Sequence, residues 1–230
     1  MDRMSTKQSL AAVCAAVLLF VGFVAICRGY VVHRTTELIA DTQSLDRAPD
    51  PTAAALAFTK KYRRYLAETT CDRNLCQFRF VFSNRVLSVP RLAKRAEIEV
   101  IVSVFHERLD AVMTGLTSNV FKENSPVVHV TESFCNDRMD IPCTDFAINP
   151  HGRDVQPTWN GDIFIGQLAT ENQKQAAWAF NFDCLIAYRG CRDISELNPL
   201  IWKCTNPDRV SSKVRSTADS MAETAQPLPN

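Results

Sequence analysis

The chain reads as an α+β protein: one N-terminal transmembrane helix, then an antiparallel β-sheet domain packed with an N-terminal helix and disulfide-tied C-terminal helices. Three observations predict this class. Residues 10–27, LAAVCAAVLLFVGFVAIC, carry no charge and no strongly polar side chain. Several later segments alternate apolar and polar residues with a period of two. Six of the seven cysteines beyond residue 70 fall into three local pairs.

Lys7 and Arg28 bracket the apolar stretch. At 1.5 Å rise per helical residue, the uncharged window spans about 30 Å, one hydrocarbon core, so a lipid bilayer is the expected partner of residues 10–27. Cleavage by signal peptidase needs small residues at −1 and −3, and Ala25-Ile26-Cys27 offers a poor site. A lipoprotein reading of Val24-Ala25-Ile26-Cys27 meets Ile26 where a small residue is wanted. An uncleaved signal anchor is the expectation, with residues 1–9 as a short cytoplasmic tail. Arg3 and Lys7 on one flank balance Arg28 and Arg34 on the other, so positive flanks leave the orientation tied. Cysteine usage breaks the tie toward an extracytoplasmic, periplasmic domain, because paired thiols suit an oxidising compartment.

Residues 28–50 lose apolar density and end in Ala48-Pro49-Asp50-Pro51, which reads as a stalk. The domain is expected at 51–205. Asp50 as N-cap and Pro51 at the first helical position open a helix whose stripe is Ala55, Phe58, Tyr62, Tyr65, Leu66 and Thr69. Its other face carries Lys60, Lys61, Arg63 and Arg64, a solvated face or a lipid-headgroup contact. QFRFVFSN, from Gln77, places Phe78, Phe80 and Phe82 on one side of a strand. Residues 96–118 satisfy both periods, and their β-branched content favours a hairpin with strands at about 96–105 and 109–118, turning through His106-Glu107-Arg108. Further strands fit 127–134 and 162–169, with a long loop at 147–161 between them. Thr170-Glu171-Asn172-Gln173 is a capping-box pattern for a broadly apolar helix that runs past Cys184 to Tyr188. A short helix starts at Asp193 and stops near Pro199. Residues 206–230 are polar and without period, a disordered tail.

Cysteine spacing decides between metal, nucleophile and bridge. Zinc knuckles place two thiolates two residues apart, whereas Cys71/Cys76, Cys135/Cys143 and Cys184/Cys191 are four, seven and six apart. The expectation is three local disulfides, with Cys204 left over: free, linking two copies, or displacing a local pairing. No metal ligand set, no cofactor and no catalytic residue is assigned.

The ending AWAFNFDCLIAYRGCRDISELNPLIW resembles a recurring pattern, AFN-x2-CL-x4-GC-x-D-x2-EL-x-P-x2-W, of uncharacterised small bacterial single-pass membrane proteins. Ala179, Phe180, Asn181, Cys184, Leu185, Gly190, Cys191, Asp193, Glu196, Leu197, Pro199 and Trp202 carry the likeness. It implies one span plus a soluble domain of strands and adds no activity.

Composition excludes some classes. Twenty-six basic against 25 acidic residues make no field suited to nucleic acid, and seven glycines with no Walker, dinucleotide, G-x-S-x-G or S-x-x-K pattern remove the usual signs of nucleotide and hydrolase chemistry. His106-Glu107-x-x-Asp110 lacks the second histidine of a zincin. Glu132, Asp137, Asp140 and Asp145 lack the glycine and odd-position oxygens of a calcium loop. Trp159 is the aromatic residue expected to be exposed, Trp178 and Trp202 core. Three readings remain: an interaction or cell-envelope protein without catalysis, first; an extracytoplasmic hydrolase built from dispersed residues around His129, His151 or an acid, second; and a cytoplasmic-facing metal-binding domain, third. The partner is an unknown protein or envelope component, or a second copy, since Ala12-x3-Ala16 permits close packing of two spans.

Overall fold

The computed structural model describes residues 6–45, 47–120, 125–134, 146–151, 160–166 and 168–200. One helix, α1 (Thr6–Gln43), takes in the expected span and most of the expected stalk, up to Gln43. At 38 residues it is about 57 Å long. Its two halves differ in what they bury. From Leu10 to Ile26 the side chains are exposed apart from Val24, with Leu18 and Leu19 about three-quarters accessible. From Cys27 a stripe at Cys27, Val31, Thr35, Leu38, Thr42 and Leu45 is buried against the domain. That spacing of three and four places the first five on one helix face, and Leu45 follows in the turn just past its end. The stalk was hidden in the sequence because two stripe positions are threonines and the flanking positions carry Arg34, Glu37 and Asp41.

Asp50 caps α2 (Pro51–Lys61), its carboxylate accepting from the Ala53 amide at 2.9 Å. The expected stripe runs on to Thr69, but the helix stops at Lys61; a 3-10 turn, Arg63–Tyr65, leads into β1 (Leu66–Asp72). β1 hairpins onto β2 (Leu75–Ser83), with Cys71 opposite Cys76. A short helix, α3 (Arg85–Ser88), and a loop precede the long hairpin β3 (Ala96–Phe105) and β4 (Arg108–Ser118). Its two-residue turn holds His106 and Glu107 at φ 49° and 62°, the left-handed geometry that matches the twist of the flanking strands. Asp110 is the extra residue of a bulge: Ser103 pairs with Ala111 and Val104 with Leu109.

β5 (Val127–Ser133) pairs with β4, and β7 (Asn160–Ile165) lies beside β5. The β5/β7 pair is parallel, so the sheet is mixed rather than wholly antiparallel. β6 (Phe146–His151) forms the edge next to β7, inside the region expected to be a loop. Its Pro150 is the reason it reads as loop, and an edge strand is where a sheet tolerates proline. The order is β1-β2-β3-β4-β5-β7-β6.

The helix expected from Thr170 to Tyr188 is broken. α4 (Glu171–Ala177) has the capping box, and α5 (Asp183–Ile186) starts afresh after Phe182. Asn181 causes the break: its amide donates to the Leu197 carbonyl at 2.8 Å and its side chain to Glu196 at 2.9 Å, ties to α6 (Ile194–Leu197) that a continuing helix would forbid. Asp193 caps α6 as expected, accepting from Ser195.

One face of the sheet carries the core. Phe80, Ile98, Val100, Leu116, Val130 and Ile163 are at most 1% exposed there, and each fully buried side chain of this size contributes roughly 1.5 to 3 kcal/mol. α2 seats Phe58 edge-on against Phe80, with ring centres 5.3 Å apart. Docked α1 packs against α3 and α5, and α4 and α6 against β7 and β5. The opposite face shows half-buried or exposed polar side chains, among them Gln77, Arg79, Glu99 and Thr131.

The contacts of α1 fix its direction. Tyr30 hydrogen-bonds with Tyr65, whose ring meets Phe82 at the end of β2, while Arg47, just past α1, pairs with Glu171 at 2.7 Å where α4 begins after β7. β2 and β4 end, and β3 and β5 begin, at the Tyr30 end. The exposed apolar half of α1 therefore leaves the domain at this end, called proximal below. The 73–74 and 106–107 turns lie at the other.

Candidate functional site

The proximal end is organised by one buried amide. Asn84 is fully buried; its Nδ2 donates to the carbonyls of Lys94 and Leu185 at 2.7 and 2.6 Å, and its Oδ1 accepts from the Ala96 amide at 3.0 Å. These bonds pin both ends of segment 85–95 to the sheet and to α5. Leu87, also fully buried, inserts its side chain, while its carbonyl accepts from Leu92 and Ala93 and closes the segment into a compact loop. Residues 84–96 contain four basic side chains and no acidic one.

The loop and Tyr188 enclose a cleft of about 570 Å³ lined by Arg85, Ser88, Arg91, Lys94, Arg95 and Tyr188. Arg95 is paired with Glu97 at 2.7 Å. Arg85, Arg91 and Lys94 are exposed and have no ion pair among the described residues. Val89 is 78% and Tyr188 68% exposed at the same place. Three cations without an ion pair among the described residues, beside apolar surface, make a site for an anion that itself adjoins something greasy.

A second cleft, about 280 Å³, lies at the other end of docked α1 between Gln43, Arg47, Glu132, Glu171, Lys174 and Trp178. Its charges compensate: Lys174 meets buried Glu132 at 2.8 Å and Arg47 meets Glu171. Between the two clefts a network joins α1 to α2. Lys61 contacts Glu37 at 3.0 Å and Asp41 at 2.5 Å, and Arg34 contacts Glu37 at 2.6 Å. Hydrogen bonds from Lys61 and Arg34 hold the Glu37 carboxyl below its ordinary range, and hydrogen bonds to Asp41 and Glu37 raise Lys61. Burial, aided by the hydrogen bond it donates to Asp41 at 2.7 Å, raises the Tyr62 phenol. Lys61 thus belongs to helix docking, not to a headgroup contact.

The cysteines behave as structural bridges. Cys71 is bonded to Cys76 and Cys184 to Cys191, while Cys14 and Cys27 are free. Cys135, Cys143 and Cys204 lie outside the described residues, as do Asp137, Asp140, Asp145, Trp159, Trp202 and the expected 206–230 tail. Residues of the C-terminal pattern form a clasp around the second bridge. Gly190 has φ +63° and sits so close to Ser118 that an added Cβ would be 2.8 Å from its Oγ. Ser118 Oγ accepts from the Cys191 amide, and Asn119 donates to the Cys191 carbonyl, both at 2.8 Å. Glu196 accepts from the Arg192 amide at 2.9 Å. Each of these residues is spent on holding the chain.

The histidines stay apart. His106 is in the hairpin turn and His151 on β6. His129 lies on the open face of the sheet, its Nδ1 3.1 Å from Asp162 Oδ1, with its ring over Gly115, where a Cβ would come within 2.6 Å of it. Asp162 orients the ring, but neither cleft above contains it. Among the described residues no group of three His, Cys, Asp or Glu side chains converges in the manner of a metal site. Sequence reasoning missed segment 85–95; its signal was a run of basic residues without acids around an exposed Val89-Pro90.

No protein-family model, curated protein or solved structure matches this chain.

Proposed function

We propose that this is a single-pass membrane protein whose residues 10–27 lie in the bilayer and whose α+β domain sits on the extracytoplasmic, periplasmic side as an interaction or cell-envelope module. The observation that carries this reading is the division of α1. A helix long and apolar enough to cross a membrane exposes its first half and buries only the second. Apolar side chains left on all sides of a free helix need a nonpolar solvent, which lipid supplies. The Cys71–Cys76 and Cys184–Cys191 bridges favour the oxidising side. The exhaustion of the C-terminal pattern residues in structural hydrogen bonds favours scaffold over chemistry, and that pattern supports the likeness to small single-pass bacterial proteins.

Labelling of intact cells tests it. A membrane-impermeant maleimide applied after reduction should modify Cys71 and Cys76, which stand on the exposed edge hairpin, and Cys14 should stay unmodified until detergent dissolves the bilayer. Labelling of Cys14 in intact membranes, or extraction of the chain by alkaline carbonate, would overturn the reading.

A further inference from the structure

Building on that membrane-anchored reading, we infer that the proximal cleft and loop, residues 85–95 with Tyr188, seat the phosphate headgroups of anionic phospholipids in the leaflet that α1 enters. Distance supports the placement. Docking of α1 begins at Cys27, and Tyr30 already touches Tyr65. Those three residues amount to about 4.5 Å of helix rise. The end of the apolar span and the end of the sheet thus lie at nearly the same level. α3 follows β2 at that end and packs on α1. Charges there fall within one Debye length of the membrane surface, about 8 Å at physiological ionic strength, so they sense the surface charge with little screening.

The chemistry of the patch suits that occupant. Arg85, Arg91 and Lys94 have no acidic partner among the described residues, and guanidinium groups bind phosphate oxygens in a forked geometry. Exposed Val89 and Pro90 stand between them. A single exposed valine is ordinary, but an apolar tip flanked by exposed cations matches the boundary between headgroups and acyl chains. Arg189 and Arg192, exposed on the neighbouring loop after α5, extend the same charge. The loop is held from behind by Asn84 and Leu87, so its cations are presented on a fixed base with little ordering left for binding.

The test uses the full-length protein in nanodiscs of phosphatidylcholine alone or mixed with phosphatidylglycerol, with amide hydrogen exchange as the readout. Residues 10–26 should be protected in both. Residues 85–95 should exchange more slowly with phosphatidylglycerol, and high salt should remove the difference. Native mass spectrometry of the same samples should show retained phosphatidylglycerol in preference to phosphatidylcholine, falling roughly fivefold for each cation neutralised in Arg85→Gln, Arg91→Gln and Lys94→Gln. Val89→Asp keeps every cation and should weaken the protection as well. The inference falls if 85–95 exchanges equally in both discs while 10–26 is protected, or if the triple variant keeps its lipid preference. It also falls if inorganic phosphate added to phosphatidylcholine discs gives the same protection, which would make this a site for free anions. Rapid exchange at 10–26 in both discs would overturn the membrane reading and this inference with it.

Discussion

Replacing Asn84 tests how the proximal loop is held. Asn84→Ala leaves the Leu185 carbonyl and the Ala96 amide without partners in the interior, since both residues are fully buried; the Lys94 carbonyl, on an exposed residue, can turn to water. An orphaned buried group costs about 1 to 3 kcal/mol, so two of them plus the vacated volume come to about 4 kcal/mol. In a domain of this size each kcal/mol is roughly 2 to 4 °C, so the melting temperature should fall by about 10 °C in a thermal scan of the detergent-solubilised protein. Asn84→Leu fills the space but leaves the same groups unpaired, and should be within about 1 kcal/mol of the alanine variant. Asn84→Asp keeps the acceptor for Ala96 and turns a carboxylate oxygen toward two carbonyls, and should be the worst of the three at neutral pH. Exchange at 85–95 should rise before global unfolding in all three. A melting temperature within about 2 °C of the parent for the alanine variant would refute the claim that this amide is the fastener.

Four further outcomes follow from named groups. Replacing Cys184 and Cys191 by serine opens an eight-residue loop, so chain entropy alone predicts a loss of about 2.5 kcal/mol by denaturant titration; the Cys71/Cys76 pair, on an exposed edge hairpin, should cost the global transition less. Thr35 is fully buried on α1 with no partner for its hydroxyl among the described residues, so Thr35→Val should stabilise by roughly 1 kcal/mol in the same titration. Gly115→Ala would drive a methyl into the His129 ring, and proton NMR should show the ring displaced from Asp162, with a loss of about 1 to 3 kcal/mol. Because the folded-state pKa of Glu37 is depressed, its contribution is complete above the ordinary glutamate value of about 4.3 and disappears as pH falls through the lower folded value. Glu37→Gln should flatten that acid limb of the stability profile and lower the neutral plateau, so that parent and variant converge only at acid pH.

What could be read from the chain follows the physics of each element. The β3/β4 hairpin was legible because Ile98, Val100 and Val102 alternate with Glu97, Glu99 and Ser103, so period two announces one buried face. β1 was not, because LAETTCD is exposed at six of seven positions and an edge strand with no buried face leaves no period to detect. β6 was obscured by a proline that only its edge position permits. The parallel partner of β5 lies across residues 134–159, and pairing over such a gap leaves no local mark. The break between α4 and α5 depends on Asn181 bonding to α6, a tertiary contact that local apolar spacing overrode in the reading. The cysteine pairs 71/76 and 184/191 were found by spacing alone. The cationic loop escaped because balanced overall charge conceals a local excess, and its significance rests on where α1 exits the domain.

The uninterrupted helix has a mechanical corollary. A protein on a flexible tether reports nothing of its anchor's posture, but on the membrane-anchored reading proposed above the same rod that would cross the lipid is held against α3 and α5 from Cys27 to its end. Hydrophobic mismatch is relieved partly by tilting such a rod. Any change of bilayer thickness that inclines it therefore swings the whole domain as a rigid lever, and a binding face far from the lipid is re-aimed without any hinge.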